Sequence, residues 1–206
     1  MHTRVKICGI TRLEDALVCV EAGVDALGFN FWPGSKRHVQ VELARQIAAA
    51  LPSGLLKVGV FVRADPAEVR QTVRTVGLGA VQLHGDEDPE LYSDVGAQVW
   101  QVLRVADRLP GAPSPGIAAV LLDAKVEGFG GAGHRFDWKL AREAADWAVP
   151  VWIAGGLEPH NVGQALRLSG ASGVDVASGV ESAPGIKDPA RVRAFVEAVR
   201  TAEKGA

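Results

Sequence analysis

Cysteine is scarce in this chain: two in 206 residues, Cys8 and Cys19. That is too few for a disulfide framework, and their spacing is not that of a metal site, so no metal is expected. There is no run of about 18 uninterrupted apolar residues, which excludes a helical membrane span. Charge of one sign is lacking as well. With 22 Lys and Arg against 24 Asp and Glu, the formal charge is −2. No block of basic residues offers a face to nucleic acid or to an anionic membrane. The leading MHTRVK has neither an apolar signal core nor a small-residue cleavage site, so a reducing cytoplasm is the expected address. What is present is 48% hydrophobic and 22% charged residues, enough for one globular domain over residues 1–206 with a substantial core.

Short runs rich in Val, Ile and Leu recur along the whole chain, at residues 4–8, 25–30, 56–62, 80–84, 99–105, 119–123, 149–155 and 173–179. Most are apolar at nearly every position rather than alternating, as strands covered on both faces should be. Helical periodicity fills the spaces between them. Thr11 and Glu14 have capping-box spacing ahead of Ala16, Leu17 and Val20. Asp65 caps a helix with Pro66 at its first position and Val69, Val73 and Val76 on one face. Asp188 repeats the device ahead of Val192, Phe195, Val196 and Val199, and Val41, Ala44, Ile47, Ala48 and Leu51 form a fourth stripe. Strand–helix alternation implies parallel strands joined by right-handed crossovers. Eight such units predict a single-domain (β/α)8 TIM barrel; an open doubly wound sheet is the competing architecture. Residues 106–116 (ADRLPGAPSPG) carry three prolines and predict a coil in place of the helix between strands five and six.

In a closed parallel barrel the catalytic groups project from the C-terminal strand ends. Strand one ends in Cys8, strand two leads to Asn30, strand four to Gln82 and His84, strand five to Arg104, strand six to Asp123. Cys8 is either a small core hydrophobe or a base, in a site that favours thiolate and brings its pKa toward neutrality. Cys19, mid-helix, reads as packing. Asp123 after AAVLL is either a turn or capping residue, or a desolvated acid that keeps its proton for delivery. Cys8 and Asp123 would then face one another across the mouth. Asp175, between valines, needs a partner if buried. The glycine turns at Gly155–Gly156 and Ser178–Gly179 follow strands seven and eight, where this barrel commonly holds a phosphate on main-chain N–H groups. Arg37, in PGSKRHV, is either surface charge or a bidentate clamp for a carboxylate. The glycine-rich 128–136 reads as a cover over the mouth.

Taken in order, KICGIT, GFNFWPGSKR, VGVF, VQLHGDE, LLDAK…GGAGHRFDW, IAGGLEPHNV and VDVASGVESAPGIKD resemble the successive motifs of phosphoribosylanthranilate isomerase, an enzyme of tryptophan biosynthesis. The match runs from residue 5 to about 188. The resemblance implies a cofactor-free Amadori rearrangement of N-(5-phospho-β-D-ribosyl)anthranilate to the aminoketose. It assigns Asp123 as general acid and Cys8 as general base, with Arg37 on the anthranilate carboxylate. Gly155, Gly156, Ser178 and Gly179 would hold the phosphate, while His84 and Asp175 line the pocket. The partner it implies is that phosphosugar alone, with the chain a monomer or homodimer. One departure is Ala177, where the family usually has the first of two serines. A dual-specificity isomerase that also serves histidine biosynthesis is the nearest alternative, but those enzymes carry aspartate in place of Cys8. Two further readings are a non-catalytic phosphosugar-binding barrel and nucleophilic chemistry by Cys8 with His84.

Overall fold

The computed structural model describes residues 2–124 and 135–205. Eight parallel strands close into a barrel in sequence order: β1 (Arg4–Cys8), β2 (Ala26–Asn30), β3 (Leu56–Phe61), β4 (Ala80–Leu83), β5 (Gln98–Val105), β6 (Ala119–Ala124), β7 (Val151–Ile153) and β8 (Gly173–Val176). β8 pairs back onto β1, with Val5 opposite Val174 and Lys6 opposite Asp175. Closure decides for the barrel over the open sheet. No helix among the described residues is long and apolar enough to cross a membrane.

Among the described residues four crossovers carry α-helices, α1 (Leu13–Glu21), α2 (Val41–Ala49), α3 (Pro66–Val76) and α4 (Val162–Ser169), and α5 (Pro189–Lys204) follows β8. Two of the expected caps hold. Asp65 accepts from the Ala67 amide, and Asp188 from those of Ala190 and Arg191. The valine stripes of α3 and α5 are buried, as is Cys19. The coil between β5 and β6 is present as expected.

Other helix expectations need correction. Thr11 does not cap α1; its hydroxyl donates to the Gly185 carbonyl at 2.6 Å, and the N-cap is Arg12, without a capping bond. A distant carbonyl has won the competition for that hydroxyl. Leu17 lies outward at 41% exposure, because α1 buries Asp15, Ala16 and Cys19 instead. Asp15 can be buried because Arg12 grips it through two bonds and the Lys187 amide donates to it. Among the described residues, the connections after β4 and β6 hold 3-10 turns, at Pro89–Tyr92 and Trp138–Ala144.

Side chains alternate between two cores. One face of each strand packs outward under the helices, as with Val5, Ile7, Leu27 and Phe29. The other face fills the lumen with Ala26, Val58, Ala80, Trp100, Val102, Ala119, Leu121, Trp152 and Ala154. Trp100 and Trp152 meet there at 4.9 Å between ring centroids. The lumen parity continues upward into polar residues: Lys6 and Cys8, Gln82 and His84, Arg104, Asp123, Asp175. Apolar packing thus floors a polar mouth. Trp152→Ala should cost about 3–5 kcal/mol of stability. Urea unfolding checks this, and a loss under about 1 kcal/mol would show that the lumen is not tightly packed.

Candidate active site

The Lys6 ammonium sits at the centre of the mouth, with no solvent exposure. Its Nζ lies 2.9 Å from Asp175 Oδ2 and donates to Gln82 Oε1 at 3.0 Å. Its charge also acts on the nearby Cys8 thiol. Strand register explains the meeting: Lys6 and Asp175 are direct partners across the β1–β8 seam, and Cys8 stands opposite Gly28 on β2. A Cβ at Gly28 would fall 2.7 Å from the Cys8 sulfur and 3.2 Å from Lys6 Cε, so the bare glycine opens the slot both occupy. The expected partner of Asp175 is therefore Lys6. Its other oxygen, Oδ1, has no hydrogen-bond partner among the described residues.

Around the mouth the chain of contacts runs on. Gln82 Nε2 lies 3.3 Å from His84 Nδ1, and His84 Nε2 lies 3.6 Å from Asp123 Oδ2. Arg104 donates to the His84 carbonyl at 3.1 Å and is the cross-strand partner of Asp123. Lys6, Asp175, Gln82, His84 and Asp123 therefore form one run of contacts at the C-terminal strand ends, with Cys8 two residues beyond Lys6 on β1. Asp123 is raised to about 6, first by burial and then by the Asp175 carboxylate, against the pull of the Ala124 amide, Arg104 and Lys6. Burial, followed by Arg104 and Lys6, drives His84 down to about 4, so its imidazole is neutral.

Cys8 departs from the expectation of a thiolate-favouring site. Burial pushes its pKa up, as does Asp175, while Lys6 and Lys187 pull it down without winning. The sulfur is held as a thiol with two ammonium groups nearby. Gly9 follows in the left-handed region at φ 80°. A Cβ there would meet Arg37 Cδ at 2.5 Å, so glycine after cysteine both turns the chain and lets Arg37 cross it.

Arg37 is not a loose surface charge. Its Nε and Nη2 grip Glu181, with bonds of 2.7–3.1 Å. Lys187 Nζ donates to the same carboxylate at 2.8 Å and to the Cys8 carbonyl at 2.6 Å. Glu181 and Lys187 come from the hairpin of β9 (Glu181–Ala183) and β10 (Ile186–Lys187) that follows β8. Burial pushes Glu181 up, but Arg37 and Lys187 outweigh it and hold the carboxyl below its ordinary range. Two cations and one anion leave a net charge of +1 beside Cys8.

The two glycine turns touch one another. Gly155 and Gly156 both take positive φ, at 83° and 60°. A Cβ on Gly179 would lie 1.9 Å from the Leu157 carbonyl oxygen, so any side chain there would drive the turns apart. Asn161 braces the first turn through the Gly156 carbonyl and the Glu158 amide, and Arg135 adds a cation at the same carbonyl. Ser178 is exposed beside Gly179. Most of the glycine-rich 128–136, including the proposed cover, lies outside the described residues.

Sequence reading missed Lys6, Glu181, Lys187 and Gly28. Only Lys6 carried a usable signal: it shares the lumen face with Cys8 two residues on, and Asp175 needed a buried partner.

The fold is a TIM barrel with buried ionisable side chains gathered at the C-terminal ends of its strands. Residues 5–198 match the family described as N-(5'-phosphoribosyl)anthranilate (PRA) isomerase. The isomerase of that name from Myxococcus xanthus is 50% identical, covering 98% of each chain. The crystal structure of phosphoribosyl anthranilate isomerase from Thermotoga maritima superposes with a TM-score of 0.86 at 38% identity, covering 97% of this chain and 100% of that one. A second solved isomerase, in complex with reduced 1-(o-carboxyphenylamino)-1-deoxyribulose 5-phosphate, gives 0.84 at 37% identity over 97% of this chain and 100% of that one. The chain belongs to the N-(5'-phosphoribosyl)anthranilate isomerase family.

Carboxyl-detected NMR titration, with Asp123→Asn for assignment, should find the Asp123 carboxyl titrating near 6. Titration near the ordinary value of about 3.9 would show that the mouth does not desolvate it.

Proposed function

We propose that the chain isomerises N-(5'-phosphoribosyl)anthranilate to 1-(2-carboxyphenylamino)-1-deoxyribulose 5-phosphate, without a cofactor, as a step of tryptophan biosynthesis in a reducing cytoplasm. What supports this reading is a desolvated carboxyl and a thiol at the C-terminal strand ends of a barrel of this family. All the groups invoked come from one chain, so a monomer suffices and a homodimer is compatible.

Asp123 protonates the furanose ring oxygen. The C1′–O bond breaks as the anthranilate nitrogen lone pair forms the C=N bond of a protonated Schiff base. The Cys8 thiolate then removes the C2′ proton, and those electrons form C1′=C2′ while the C=N pair returns to nitrogen. The resulting enolamine tautomerises to the ketone. Lys6 and Lys187 supply the positive field that the thiolate needs. The free Oδ1 of Asp175 suits a ribose hydroxyl.

The substrate's two anionic ends have separate anchors. Glu181 occupies the Nε–Nη2 edge of Arg37, so the Nη1–Nη2 edge is the one for the anthranilate carboxylate, in the field of the net positive triad. The phosphate goes to Gly155, Gly156, Ser178 and Gly179, where main-chain N–H groups survive the replacement of a family serine by Ala177. Pinning both ends turns remote binding into orientation at C2′. Cysteine at position 8 speaks against the dual-specificity alternative, whose members resemble this chain but carry aspartate there.

Purified protein should turn over phosphoribosylanthranilate, whereas Cys8→Ala and Asp123→Asn each lower kcat by about 10²- to 10⁴-fold with the fold intact. Near-wild-type turnover in either variant would remove that residue from the mechanism. Turnover of the histidine-pathway aminoaldose at a comparable rate would favour the dual-specificity reading instead.

A second expectation concerns pH. The active form needs Asp123 protonated and Cys8 ionised, the reverse of the favoured pattern at neutral pH. Between the two pKa values the fraction carrying both is small but constant, because each gain in thiolate is matched by a loss of acid. Accordingly kcat/KM should be level above about pH 6, fall below it, and fall again only in the alkaline range. A single sharp optimum near pH 7 would contradict this protonation pattern.

A further inference from the structure

The contacts from Lys6 to Asp123 fix more than positions, because the hydrogens in that chain have only one consistent arrangement. An ammonium group only donates, so the Gln82 atom 3.0 Å from Lys6 Nζ must be the amide oxygen. The Gln82 NH2 group then points the other way, 3.3 Å from His84 Nδ1. An amide NH2 likewise only donates, so Nδ1 must present its lone pair. A neutral imidazole carries one proton, which leaves it on Nε2, the nitrogen 3.6 Å from Asp123 Oδ2. Lys6 itself cannot swing away. It is wholly buried, and Asp175 pairs with its ammonium at 2.9 Å.

The separation of 3.6 Å is too long for a hydrogen bond. That gap has a use. Asp123 Oδ1 already accepts from the Ala124 amide at 2.8 Å, which leaves Oδ2 as the oxygen that carries the acid proton. A protonated Oδ2 offers the His84 N–H little. Once that proton has gone to the sugar ring oxygen, Oδ2 bears the new negative charge and faces a donor already aimed at it. An interaction that strengthens only as the acid gives up its proton lowers the barrier rather than the ground state.

We propose that Lys6 and Gln82 are positioning residues that lock His84 as the Nε2–H tautomer, so that His84 donates to Asp123 as that carboxyl loses its proton. The proposal rests on Asp123 being the acid, but the lock itself can be read without turnover. Neither residue touches the sugar in this scheme; Gln82 acts through His84, and Lys6 acts through Gln82 on His84 in addition to its field at Cys8.

The readout is the pair of imidazole nitrogen resonances of His84 in 15N-labelled protein at neutral pH, assigned with His84→Asn. Wild type should show Nδ1 unprotonated and Nε2 protonated. Gln82→Glu replaces the donor facing Nδ1 with an acceptor, so the proton should move onto Nδ1. Should that variant fail to fold, Gln82→Met removes the donor without adding charge and should give mixed tautomers. In either variant kcat should fall about tenfold with KM little changed, the pattern of an interaction made in the transition state. Wild-type His84 protonated on Nδ1, a tautomer indifferent to Gln82, or an unchanged kcat with the tautomer lost would each overturn the proposal. The two layers separate cleanly. An active Asp123→Asn enzyme overturns the acid assignment and the use proposed for the lock. An inactive one, with His84 protonated on Nδ1 in wild type, overturns the lock alone.

Discussion

One buried ammonium organises this barrel's mouth. Lys6 has no solvent exposure, and burial works against its charge. It stays charged because β8 closes the barrel with Asp175 directly across the seam, and because Gln82 accepts a hydrogen bond from it. Four strands' worth of polar side chains are thereby tied to one point, over a lumen otherwise filled by Trp100, Trp152, Leu121 and small residues. Remove the cation and Asp175 becomes a buried charge without a partner, while Cys8 loses the field that makes its thiolate accessible.

The same economy appears on the β1–hairpin side. Glu181 is a buried carboxylate, yet between Arg37 and Lys187 it leaves the cluster net positive and occupies only the Nε–Nη2 edge of the guanidinium. Lys187 also holds the Cys8 carbonyl, so the backbone that carries the sulfur is fixed from outside the barrel. Gly9 and Gly28 supply the room: one lets Arg37 pass over the strand end, the other leaves space for the thiol beside the ammonium. These two glycines read as ordinary turn and strand glycines until the side chains above them are seen.

Strand number, the parallel sense, the caps at Asp65 and Asp188 and the coil after β5 were all legible, since each depends on local patterning. So were the strand-end residues, because side chains alternate and the mouth takes the last inward one. Thr11 misled because the capping signal ignores competition from Gly185, 174 residues away. Leu17 misled because an arginine grip made Asp15 the buried residue of α1 instead. Lys6 was hidden inside RVKIC, which reads as an apolar strand, and its role exists only where β8 meets β1. Glu181 and Arg37 are 144 residues apart, and nothing near either one announces the pair.

The most direct test of the central role of Lys6 is a double-mutant cycle with Asp175, read by urea unfolding at neutral pH. Lys6→Met alone should cost about 3–5 kcal/mol, because it strands a buried carboxylate. Adding Asp175→Asn should recover much of that loss, since the orphaned charge goes with its partner. If the two losses simply add, the ammonium is not what holds the mouth together.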